Sequence, residues 1–66
     1  MHLTFIRKDS NGGQSPTLYR TDRGTFIVQG YKVDDAQALE TLSLPLNETA
    51  VEVPESLLRE IAREIA

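Results

Sequence analysis

The chain has 66 residues, no Cys, 39% hydrophobic and 26% charged residues, and a formal net charge of −3. A compact unit usually takes roughly 100 to 200 residues, so this length leaves room for one small domain, and the composition excludes disulfides, thiolate zinc sites and a disordered, charge-dominated tail. A domain this short buries only about 60% of the surface its unfolded form exposes, which leaves a partner chain as the remaining source of extra burial.

Residues 2 to 8 mix β-branched and aromatic types and predict a first strand, with Leu3 and Phe5 on one face and Thr4, Ile6 and Lys8 on the other. The stretch from Asp9 to Pro16 is almost wholly turn formers and reads as a surface loop. Thr17 to Thr21 and Thr25 to Val33 predict the arms of a hairpin closed by Asp22-Arg23-Gly24, with Gly24 in the left-handed position. Gly30 packs no side chain, so it predicts a bulge or a close approach by another backbone or a ligand.

The apolar period then changes from two to about 3.6. Asp34 is expected to cap a short helix, with Gln37 returning the hydrogen bond and Val33 touching Ala38. Leu39 and Leu42 share a face of it, and Pro45 stops it after about two to three turns. Val51 and Val53 alternate with Glu52, predicting a fourth strand over 49 to 53 with one wet face. Beyond Pro54, Leu57, Leu58, Ile61, Ala62 and Ile65 recur at helical steps, with Glu55–Arg59 and Glu60–Arg63 pairs on the exposed side. The expected fold is a single small α+β domain over 1–66: a three- to four-stranded, mainly antiparallel sheet with two helices on one face, in the order βββαβα.

Charge is distributed unevenly. Residues 1 to 33 hold five basic groups against two acids, a balance of +3, and residues 34 to 66 hold two against eight, a balance of −6. A basic sheet and acidic helices can attract each other within one fold, steer two copies together, or present separate faces to a partner. No apolar run approaches the roughly 20 residues that span a bilayer, and no basic start precedes a long apolar stretch, so the cytoplasm is the expected location.

Residues for chemistry are sparse. The sole His is His2, beside a terminus, and no Ser sits in a Gly-x-Ser-x-Gly elbow, so no acid–base or nucleophilic machinery is nominated and no enzyme is expected. Asp34 and Asp35 lack the spacing of a calcium loop, and neither metal nor cofactor is expected. The Gly12-Gly13 pair leads into Pro16 and a strand rather than a helix, which reads as a turn and not a phosphate cradle. Nucleic-acid binding needs cations with aromatic rings; Arg7, Tyr19, Arg20, Arg23 and Lys32 supply both, but Tyr19 and Arg20 take opposite faces of their strand, and an isoelectric point near 4.9 opposes a grip on a polyanion.

The last helix closes the core in the simplest reading. Leu57 and Leu58 nonetheless diverge by about 100° and cannot both face one sheet, so one of them is available to a second chain. An exposed strand edge is the other natural docking element.

Three runs, Phe5-Ile6-Arg7-Lys8-Asp9, Gly12-Gly13-Gln14-Ser15-Pro16-Thr17-Leu18-Tyr19 and Phe26-Ile27-Val28-Gln29-Gly30-Tyr31-Lys32-Val33, with the closing Val53-Pro54 segment and helix, together resemble a group of small uncharacterised actinomycete proteins, some encoded beside helix-turn-helix regulators. Tyr31 stands where other members have Trp. The resemblance implies an accessory role in transcriptional regulation, through binding the neighbouring regulator, and carries no catalytic residues or ligand. The expected function is therefore a non-catalytic protein-interaction module that binds another protein or itself as a homodimer through Gly30, Tyr31, Lys32, Leu57, Leu58 and Ile65, with a basic-hairpin nucleic-acid binder as the alternative.

Overall fold

The computed structural model describes residues 1–9 and 16–65. In chain order the elements are β1 (Leu3–Lys8), β2 (Thr17–Thr21), β3 (Phe26–Gln29), β4 (Tyr31–Lys32), α1 (Ala36–Leu42), β5 (Val51–Glu52) and α2 (Glu55–Ile65). The expected Gly12-Gly13 turn lies outside the described residues. On either side of it, the Asp9 amide donates to the Pro16 carbonyl at 3.0 Å, which continues the pairing of β1 with β2.

The hairpin forms as the turn residues require. Gly24 takes φ +75, and the Thr21 hydroxyl accepts from the Arg23 amide at 3.0 Å while its own amide donates to the Thr25 carbonyl at 2.9 Å. These bonds set an antiparallel register running from Arg20 opposite Phe26 to Thr17 opposite Gln29, in a sheet of order β1-β2-β3.

Two irregularities decide how the rest is arranged. In β1 the register shifts between Phe5, opposite Tyr19, and Arg7, opposite Leu18, leaving Ile6 as an extra residue. A bulge of this kind reverses the parity of everything after it. Lys8, expected on the face of Thr4, pairs with Thr17 and joins the face of Phe5 and Tyr19, while Arg7 moves to the face of Leu18.

The second irregularity is Gly30, where the predicted second hairpin arm divides. β3 ends at Gln29, and β4 pairs antiparallel with β5 instead, Tyr31 opposite Glu52 and Lys32 opposite Val51. A Cβ built on Gly30 would stand 2.6 Å from Val53 Cγ1 and 2.8 Å from the Glu52 carbonyl oxygen, so the close backbone approach expected here comes from β5. The antiparallel strands therefore form a three-stranded sheet and a separate two-stranded one.

Helix α1 is capped one residue later than the sequence suggested. The Asp35 carboxylate, not that of Asp34, accepts from the Ala38 amide at 2.9 Å. Gln37 then sits two residues past the cap rather than three and cannot complete a capping box. Ser43 ends the helix in the left-handed region at φ 49, its amide donating to the Leu39 carbonyl at 3.0 Å.

Helix α2 lies along the face that carries Arg7 and Leu18. Arg7 Nε donates to Glu60 at 2.8 Å and its Nη1 to Glu64 at 2.9 Å, and the Ser56 hydroxyl donates to the buried Asp9 carboxylate at 2.8 Å. Glu60, expected to pair with Arg63 on the exposed side, instead turns toward the sheet, whereas Glu55 and Arg59 pair in solvent as the spacing implied. Among the described residues, the apolar core consists of Leu18 and Leu57, 2% and 0% exposed. No helix among them is long and apolar enough to cross a membrane.

Candidate interaction surface

A core of two large apolar side chains leaves much of the apolar surface uncovered. A compact monomer of 7.4 kDa exposes about 4,200 Å² and a 66-residue domain has a radius of gyration of about 10.8 Å; this chain exposes 5246 Å² with a radius of 13.0 Å.

Among the described residues, two regions of exposed apolar side chains stand out. One is built by α1, β4 and β5. Because Gly30 diverts β4 to β5, and Val33 N–H bonds the Ala50 carbonyl at 3.2 Å, the chain around 31–33 and 50–52 forms a small ribbon beside α1. Between ribbon and helix lies an open groove of about 720 Å³ with Val33, Ala38, Leu42, Ala50 and Val51 on its walls and Lys32, Asp34, Asp35 and Glu52 at its rim. No residue of α1 is buried. Tyr31, Leu39, Leu42, Leu46 and Val51 are all exposed, Tyr31 by 61%. From 33 to 54 the sequence holds Asp34, Asp35, Glu40, Glu48 and Glu52 and no Lys, Arg or His. The groove thus has apolar walls and an acidic surround.

The other is the face of the three-stranded sheet away from α2. Register places Leu3, Phe5, Tyr19 and Ile27 there, with Lys8 toward one end and the Arg23 turn at the other. Phe5 and Tyr19 meet edge to face at 6.3 Å, and Phe5 remains 59% exposed. This face has an apolar centre with Lys8 at one end and the exposed turn of Asp22 and Arg23 at the other.

The expected partner-binding residues separate in the structure. Tyr31 and Lys32 lie on β4 beside the groove; Leu58 and Ile65 are exposed on α2. Leu57 is a core residue, since the adjacency that divides it from Leu58 turns it fully inward, and it is not available to a partner. Gly30 serves the β4–β5 crossing rather than an outer surface.

The residues of the nucleic-acid alternative do not converge. Arg7 is held by two carboxylates, whose hydrogen bonds, that of Glu60 first and Glu64 second, raise its pKa above the ordinary arginine value. Tyr19 faces the open side of the sheet, Arg20 stacks over Phe26 at 4.7 Å on the opposite side, Arg23 lies in the turn, and Lys32 belongs to the second ribbon. Among the described residues no three His, Asp or Glu side chains gather as a metal site.

The groove itself was not anticipated. Its signal in the sequence is the run 33–54, which combines Leu39, Leu42, Leu44 and Leu46 with acids alone. No family model, curated protein or solved structure matches this chain.

Proposed function

We propose that this chain is a non-catalytic protein-interaction module, whose docking surface is the groove formed by α1, β4 and β5. One observation carries this: a whole helix and a strand pair keep every large apolar side chain exposed, over an apolar groove. Contiguous exposed apolar surface rimmed by polar groups is the usual mark of a protein-binding site. The exposed Leu58 and Ile65 of α2 offer a second apolar patch, on the helix that the sequence singled out. An accessory role in transcriptional regulation is the finer form of the proposal, supported by the likeness of the Pro16-Thr17 and Val28-Gln29-Gly30-Tyr31-Lys32 segments to small proteins encoded beside regulators.

The test is binding of an apolar reporter dye to the dilute chain, combined with amide exchange. Dye fluorescence is expected to rise with the wild-type chain and to fall in Leu39→Glu/Leu42→Glu, with α1 amides exchanging far faster than those of β2. A chain that binds no dye and protects α1 as strongly as β2 would contradict the proposal.

A further inference from the structure

We propose that the occupant of the acidic groove is a second copy of this chain, the open face of whose three-stranded sheet docks there in a reciprocal two-fold dimer. The inference rests on the interaction-module reading and names its partner.

Charge complementarity selects this pairing. Asp34, Asp35 and Glu52 line the groove, with Lys32 the sole cation among its lining residues. A symmetric contact of that face with itself would set like charges against each other, which opposes association. The open sheet face has Phe5, Tyr19 and Ile27 across the middle and Lys8 at one end, with the exposed turn of Asp22 and Arg23 at the other. An apolar centre with Lys8 at its edge fits an apolar groove lined by Asp34, Asp35 and Glu52, and core-and-rim anatomy is what protein interfaces show. Lys8 is available for this because the bulge at Ile6 moves it onto the Phe5 face.

Both faces keep large apolar side chains exposed for burial by a partner, Phe5 and Ile27 on the sheet and Leu42 and Val51 at the groove. A two-fold dimer in which each copy contributes both faces once is the closed form of this pairing, whereas head-to-tail pairing that does not close grows into larger assemblies, a result that would overturn the two-fold form.

Sedimentation equilibrium across about a hundredfold range of concentration, at low and high salt, reads the proposal directly. A monomer–dimer equilibrium is expected, weakened by salt. Lys8→Glu/Arg23→Glu and, separately, Asp34→Lys/Glu52→Lys should each weaken the dimer about tenfold or more, and the four changes combined in one chain should restore it. All four positions are exposed, and circular dichroism checks that each variant keeps its fold. A dimer indifferent to both charge reversals would overturn the assigned faces. A monomer at every concentration would overturn the dimer: if it binds the dye and exchanges α1 quickly, the interaction module survives with a foreign partner, whereas a protected α1 without dye binding removes both.

Discussion

The two halves of this molecule are made from similar materials and hold together differently. Around α2, one leucine from the sheet and one from the helix are sealed from water, and the surrounding polar groups find partners: Arg7 with Glu60 and Glu64, Asp9 with Ser56. Around α1, three leucines and a valine stay wet, and the carboxylates of 33–54 make no ion pair with a described residue. Burial stabilises by roughly 25 cal/mol per Å² of apolar surface, so the sealed leucines contribute to the first half a term that the exposed ones do not contribute to the second. Local order in α1 comes from its caps, Asp35 and Ser43, rather than from packing.

The largest expected effect is at the core. Leu57→Ala should cost about 2–5 kcal/mol, as large-to-small changes at sealed positions do, while Leu42→Ala in the dilute chain should stay within about 0.5 kcal/mol. Urea denaturation of the two variants checks the contrast; equal losses would erase the distinction between the halves.

Gly30→Ala acts at the seam between the halves. The new methyl would meet the Val53 side chain and the Glu52 carbonyl, the second of which is backbone and cannot swing aside. A loss of about 1–3 kcal/mol is expected, as for other overpacked sites, with the β4–β5 amides deprotected before those of β2. Unchanged exchange at 31–33 would show that the ribbon tolerates separation.

Within the open half, Asp35→Ala should remove about 1 kcal/mol from α1 and Asp34→Ala nearly none, since the Ala38 amide bonds Asp35 alone. Amide exchange across 36–42 separates the two neighbours. Equal effects would place the cap elsewhere.

The smallest effect concerns pH. The folded pKa of Arg7 is raised by Glu60 and Glu64, so its contribution is complete below the ordinary arginine range and is lost only as pH rises through the still higher folded value. Between about pH 7 and 10, Arg7 should therefore add no slope to stability, and the wild-type and Arg7→Gln stability curves should run parallel there. Curves that diverge with rising pH in that window would contradict the assignment.

Most of the architecture was legible from local pattern: the Gly24 turn, the alternation of β2 and β3 and the stripe of α2 all arise from residues near one another in the chain, while at Gly30 the missing side chain announced a close approach but not that Glu52 and Val53 make it. The parity change in β1 was not, because Ile6 looks like any strand residue until Leu18 and Tyr19 take their partners. Nor was the clasp of Arg7, whose carboxylates lie 53 and 57 residues away. Asp34 and Asp35 are chemically equivalent as caps, and only the path of the chain out of β4 chooses between them. The helix expected to roof the sheet was α1 as well as α2; a stripe of leucines announces that a face will be covered and is silent about which molecule covers it.

Residue-resolved amide exchange, recorded on the dilute and the concentrated chain, tests the division between the halves most directly. Residues 17–21 and 55–65 should be protected equally at both concentrations, while 36–42 should exchange quickly when dilute and slow markedly when concentrated. Strong protection of 36–42 that matches β2 at every concentration would contradict it.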